Sequence, residues 1–213
     1  VKVIKQINFK RKTNFMRYNP SSFFLKSILS SSVLFFISAN AQTNYSAKNN
    51  ISLLISGTST LHNWDMKSNN GDCQANFTLN AAGAITAASS VNFYTNVLEL
   101  KSGKGAMDKN AYKVLKTEKT PLVNFQSTNV AVSNVGGNFL VKATGKLTIA
   151  GTTKDAVVEA TCKVNADKSI AVNGTKKVSM KDFAMEPPSF MMGAIKTGNE
   201  VTLKFDFKLT SIN

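Results

Sequence analysis

Residues 42–213 predict an all-β fold: an extended antiparallel sheet closed into a β-barrel, with one short α-helix packed against it. Apolar and polar residues alternate along most of the chain, most cleanly where Val201, Leu203, Phe205, Phe207 and Leu209 interleave with Thr202, Lys204, Asp206 and Lys208. Only Met107, Ala111, Val114 and Leu115 recur at helical spacing, with Lys109, Asn110, Lys113 and Lys116 between them. Strand length is the third observation. A sheet with one polar face hides the other by stacking on a second sheet or by closing on itself. Closure is favoured because it removes the edges that strands as long as 139–149 and 201–209 expose.

The first 41 residues stand apart from that pattern. Lys2, Lys5, Lys10, Arg11, Lys12, Arg17 and Lys26 make a basic lead without an acid, followed by an apolar run from Ile28 to Ile37 broken only by serines. Ala39-Asn40-Ala41 then offers the small-x-small pattern that a signal peptidase accepts, which places the mature start near Gln42. About ten apolar-biased positions are too few to span a bilayer, so residues 1–41 read as an export signal. Val1 is not an ordinary initiator and Met16 opens a signal of ordinary length, so residues 1–15 are expected to be an upstream mis-annotation. The product is expected to be periplasmic or secreted, and soluble after cleavage.

The mature chain is taken as one domain over 50–210, preceded by a flexible segment at 42–49. Ile51–Thr60 is the first strand, and its serine and glycine content suits an edge or a bend. An irregular Leu61–Asp65 stretch and a turn at Asn69–Asp72 lead to the strand Cys73–Leu79, with Gln74, Asn76 and Thr78 outward. Ala82-Gly83 turns the chain into strands at 85–89 and 91–95. The helix is short, so it must lie on an apolar surface. Pro121 ends it, and β pattern returns through Val123, Phe125 and Val130–Val135 to a turn at Gly136-Gly137.

Phe139–Ile149 is the cleanest interior strand, and Ala156–Val164 returns from the Gly151 hairpin. Ile170 and Val172 begin another strand, Asn173-Gly174 reads as a turn, and Val178–Phe183 follows. A methionine- and proline-rich loop, Ala184–Gly193, leads to the last strand at 201–209.

Composition excludes several function classes. The formal net charge of +14 loses the seven positive charges of residues 1–41 and leaves +7 on the mature part. Every remaining cation is a scattered lysine. Arginine, suited to bidentate base and phosphate contacts, is absent there, so nucleic acid is not an expected partner. Mild attraction to an anionic membrane surface remains, and a monomer or homodimer is expected. His62 is the sole histidine, which denies the chain a multi-histidine metal site, and no G-x-S-x-G elbow is present. The chain reads as non-catalytic, with no metal and no required cofactor.

Cys73 and Cys162 both take inward parity on their strands. In an oxidising compartment they form either a disulfide or two buried thiols, and spacing does not decide between them. Inward positions mix Ala75, Ala87, Ala143, Gly145, Ala156 and Ala160 with Phe77, Phe93, Phe125, Phe139, Phe205 and Phe207. Large against small can interdigitate into a solid core, or line a lumen open to one slender ligand. Met185, Phe190, Met191 and Met192 can form a lid or mouth above it.

Several segments together resemble the YceI-like polyisoprenoid-binding family. These are Leu61-His62-Asn63-Trp64 after the first strand, Met107-Asp108 opening the helix, and the run from Gly145 to Lys154. The 183–193 loop and Gly198-Asn199-Glu200-Val201 complete the set. The resemblance covers about residues 50–210. It implies a lipocalin-like barrel whose elongated apolar lumen holds an isoprenoid, quinone-like or fatty lipid. Carried onto this chain, it makes Phe77, Phe93, Phe125, Phe139, Val141, Leu147, Val158, Phe205 and Phe207 the expected lining, with His62 and Trp64 at the mouth. In the helix region lysines replace an acidic, histidine-containing stretch common in the family. The expected function is storage or transport of a long apolar lipid without turnover. The alternative is a solid-core structural or stress-related interaction domain, and a hydrolase built on His62 is a third reading.

Overall fold

Eleven strands and one helix follow one another in the computed structural model, which describes residues 41–212. The strands are β1 (Ala41–Lys48), β2 (Ile51–Ser59), β3 (Trp64–Ser68), β4 (Asp72–Leu79) and β5 (Ile85–Asn96) before the helix α1 (Gly105–Val114). After it come β6 (Leu122–Val135), β7 (Asn138–Ile149), β8 (Thr152–Val164), β9 (Ile170–Ser179), β10 (Ser189–Phe190) and β11 (Ile195–Ile212). The export signal expected over 1–41 lies, Ala41 apart, outside the described residues. Residues 42–49, expected to be flexible, instead supply β1, in which Tyr45 and Ala47 are buried.

Every pairing is antiparallel, and the sheet runs β1-β4-β5-β6-β7-β8-β9-β11-β2-β3. This corrects the expected lipocalin-like β-barrel, because the path ends on β1 and β3, which do not pair with each other. The cause lies in β11. Its edge from Thr197 to Phe207 is taken by β2, which carries β3 outward, and β1 reaches only Thr210, Ser211 and Ile212. The far edge of β3 makes one isolated bridge, Lys67 with Lys101, and no further strand pairing. A sheet curled around an apolar face, with one short helix against it, is the architecture.

Two strand expectations also change. Asn173-Gly174 is not a turn: β9 runs through it, pairing Gly174 with Ala160 and with Phe205. Glycine is needed there because a Cβ would collide with the Phe205 ring and the Glu159 carbonyl. The strand ends at Ser179, and residues 181–183 form a 3-10 turn.

The interior divides along the strands. Phe139 and Val141 of β7 join Tyr45, Ile51, Phe77, Cys162, Ile170 and Leu209 in one cluster, where Tyr45 meets Phe77 edge to face at 5.8 Å. Ala143, Leu147 and Ile149 of the same strand join Phe125, Val178, Met180, Phe183 and Met185 in a second. Met66, Val97 and Leu100 make a third, against which Met107, Ala111 and Leu115 of α1 pack.

Helix α1 forms where its sequence places Ala106, Met107, Asn110, Ala111, Val114 and Leu115 on one stripe at i, i+3, i+4 spacing. Asp108 in its first turn accepts from the Ser102 amide at 2.8 Å and the Ser102 hydroxyl at 2.6 Å, fixing the approach to the helix. At the other end the Lys116 ammonium donates to the Ala184 carbonyl at 3.2 Å, tying the helix to the methionine loop.

Candidate functional site

Between the α1 stripe and the second and third clusters lies a cavity of about 460 Å³, inside the usual range for small-molecule sites. The helix contributes its whole stripe. The sheet contributes Leu53, Ile55 and Met66 from β2 and β3, Phe93 from β5, Val123 from β6, Ile149 from β7, Val178 from β9, and Val201 and Leu203 from β11. Met185, Pro188 and Phe190 cover it from the loop.

Polar groups on the wall are few and mostly committed. The Thr95 hydroxyl donates to the Asn70 carbonyl at 2.8 Å, and the Ser59 hydroxyl to the His62 carbonyl at 2.7 Å. Such a wall offers an apolar chain desolvation and little else.

The loop that caps the cavity is pinned to the sheet. Thr197 donates its amide to the Pro188 carbonyl at 2.9 Å, and the Thr60 hydroxyl donates to the Ala194 carbonyl at 3.1 Å. Between these anchors Met191 and Met192 take left-handed φ values of 49° and 52°, which unbranched residues adopt at some cost. Their side chains stand in solvent, 74% and 109% exposed.

Of the residues expected to line a lumen, Phe93 does so. Phe77, Phe139, Val141, Phe205 and Phe207 belong instead to the first cluster, and Phe125, Leu147 and Val158 to the second. The reason is geometric. Alternation tells which face a residue takes and not which end of the strand is left open. Among the expected mouth residues His62, Trp64, Met185 and Phe190 line the cavity, whereas Met191 and Met192 lie outside it. The α1 stripe was expected to lie on an apolar surface but was not named as cavity lining, and neither were Leu53, Ile55, Met66 and Leu203.

Trp64 is held at the cavity edge. Its indole N–H donates to the Thr58 carbonyl at 3.1 Å, and its ring lies against Gly57, where a Cβ would collide with it. His62 Nδ1 is 2.8 Å from the Asn63 carbonyl, a contact with its own neighbour in the chain. Among the described residues no group of three or more His, Cys, Asp or Glu is placed to hold a metal.

Cys73 and Cys162 are free thiols, both buried in the first cluster, so the bridge left open by the sequence is not formed. Burial pushes each thiol up to about 12, with Asp72 and Cys162 adding to the effect on Cys73.

Comparison with known proteins bears on the same residues. The YceI-like domain profile matches residues 42–209. No curated protein sequence matches the chain. Among solved structures, BcnA of Burkholderia cenocepacia is similar at 18% identity and a TM-score of 0.57, over 74% of this chain and 96% of that one. A polyisoprenoid binding domain from Saccharophagus degradans aligns at 11% identity and a TM-score of 0.57, over 81% of this chain and 100% of its own. A mutant YCEI protein of Campylobacter jejuni aligns at 18% identity and a TM-score of 0.50, over 68% and 85%. These likenesses show a shared fold. The family match extends from β1 into β11 and takes in the whole cavity wall, so this chain belongs to the YceI-like family.

Proposed function

We propose that the protein binds a lipid with a long apolar chain, isoprenoid, quinone-like or fatty, in the cavity between α1 and the sheet, and stores or carries it without turnover. The cavity of about 460 Å³ carries this reading. At about 30 Å³ per methylene-sized group, close to the volume of a liquid water, it accommodates roughly fifteen carbons. Burial at about 0.8 kcal/mol per methylene supplies about 8 kcal/mol for ten of them, enough to offset ordering costs without a polar anchor. The polyisoprenoid binding of the Saccharophagus degradans relative supports the ligand class. The basic and apolar leader supports action outside the cytoplasm, in the periplasm or beyond.

Loading from a membrane fits the exposed Met191 and Met192 beside the cavity, with scattered lysines favouring an anionic surface. A solid-core interaction domain accounts for the first cluster and leaves the cavity unexplained.

The test is gentle purification, solvent extraction and mass spectrometry of the extract, followed by calorimetric titration with farnesol and palmitate. A long-chain lipid in the extract, or binding of either probe, is the expected result. An empty extract with neither probe bound overturns the reading.

A further inference from the structure

A second depression, of about 500 Å³, adjoins the apolar cavity, and the two differ in character. His62, Trp64, Lys104 and Met107 line both, so they meet along one rim. The charged groups of the depression are Lys67, Lys101 and Lys104 against a single acid, Asp65.

The placement of the lysines is unusual. Lys67 and Lys101 exchange both backbone hydrogen bonds, each at 2.8 Å, as a directly opposed antiparallel pair. Like charges directly opposite across such a pair repel, which destabilises the bridge unless something compensates. None of the four ion pairs among the described residues involves these lysines.

Asp65, the one acid lining the depression, is in salt-bridge contact with none of the three. The Lys101 ammonium donates to the Tyr112 hydroxyl at 2.8 Å and sits 5.3 Å from the centre of that ring. The Tyr112 hydroxyl is itself within 3.0 Å of the Leu98 carbonyl and 2.9 Å of the Leu100 carbonyl, so the ammonium is held in position. Asp108 is occupied by Ser102, and Asp108 and Glu99 act on Lys101 only through their fields. Lys104 is also the N-cap of α1, which has no side-chain cap, so the positive end of the helix adds to the lysines.

We propose that this depression is the headgroup site for the lipid whose chain occupies the adjoining cavity, and that it selects an anionic headgroup, phosphate or carboxylate, over a neutral one. The proposal rests on the cavity reading above. An anion beside Lys67, Lys101 and Lys104 relieves their mutual repulsion, while the chain passes the Trp64 and Met107 rim into the apolar space.

The experiment compares matched pairs by calorimetry with the full chain at low salt: farnesyl phosphate against farnesol, and palmitate against hexadecanol. Each anion is expected to bind about tenfold more tightly than its alcohol, with the advantage shrinking as salt screens it. A preference confined to one pair identifies phosphate or carboxylate as the group recognised. Lys67 and Lys101 are exposed and line the depression but not the apolar cavity, so the K67Q/K101Q variant retains the fold and the chain site. It is expected to bind each anion no better than the alcohol, with the alcohol's affinity unchanged. Alcohols binding as tightly as anions, or a preference that survives in the variant, overturns the headgroup site and leaves the cavity reading intact. No binding by any of the four probes overturns both.

Discussion

Replacing Ala111 with phenylalanine separates the cavity from the packed core as the place where a lipid chain is held. Ala111 is half-buried on the α1 stripe, facing the cavity and packed against the Met66, Val97 and Leu100 cluster. A phenyl ring there displaces about four methylenes of ligand, and at about 0.8 kcal/mol each the chain loses about 3 kcal/mol. That is roughly a two-hundredfold rise in Kd. The fold tolerates the change, because about 0.5 kcal/mol of lost helix propensity is offset by burying the ring in existing space. Trp64 is the only tryptophan and lines the cavity, so its emission reports titration with farnesol. Phe139→Leu is the control: it opens space in the first cluster, costs about 1 kcal/mol of stability and leaves Kd unchanged. A folded A111F protein that binds as tightly as the parent refutes the reasoning. So does an F139L protein that loses as much affinity as A111F.

Three further outcomes follow from the same geometry. Gly174→Ala forces a Cβ against the Phe205 ring and the Glu159 carbonyl, so its urea midpoint should fall by the equivalent of about 1–3 kcal/mol; an unchanged midpoint contradicts the packing of β9 on β11. Raising the Cys73 and Cys162 thiols from 9.0 to about 12 lowers their thiolate fraction at pH 8 about a thousandfold, so Ellman's reagent should find no native thiol and two after denaturation. The folded state keeps protons that the unfolded chain releases, so this contribution to stability is whole below pH 9 and lost as pH rises toward about 12. Rapid labelling of the native protein, or fewer than two thiols in denaturant, goes against this account. Met191→Ser with Met192→Ser should leave stability within about 0.5 kcal/mol, because both side chains are in solvent. It should slow lipid transfer from anionic vesicles severalfold at constant Kd, and an unchanged rate removes these methionines from loading.

How much of this was legible follows from what each pattern encodes. Long strands with strict alternation announced themselves: β7 and the 201–209 part of β11 lie where Phe139–Ile149 and Val201–Leu209 placed them. β1 and β3 were hidden. In β1 only Tyr45 and Ala47 among small and polar residues are buried, and β3 has five residues, of which Met66 and Ser68 are buried. Closure was inferred from the length of the strands at 139–149 and 201–209, and strand length carries no information about which strands end the sheet. Asn173-Gly174 misled for a different reason. The pair has the chemistry of a tight turn, but here the glycine makes room for an aromatic ring across the sheet. His62 and Trp64 lie on the wall of the cavity between α1 and the sheet, and of the nine residues expected to line a lumen Phe93 alone does.

Why one end is hollow and the other solid depends on what closes each end. Around β1, β4 and the end of β11, aromatic and branched side chains from facing strands interlock, with Phe77, Ile51, Ile170 and Leu209 fully buried. Toward β3 and β6 the opposing surface is α1, whose inward stripe includes Ala106, Asn110 and Ala111. Short side chains on a helix leave space that the strands beneath do not reach across. The cavity is therefore set by the helix, and larger residues at 106 or 111 shorten the chain it can hold. The rim adds the other half of the selection. From Leu203 and Val123 outward through Trp64 to Lys67, Lys101 and Lys104, the wall passes from apolar to cationic. An amphiphile with an anionic head matches that order when its head lies at the lysines and its chain in the cavity.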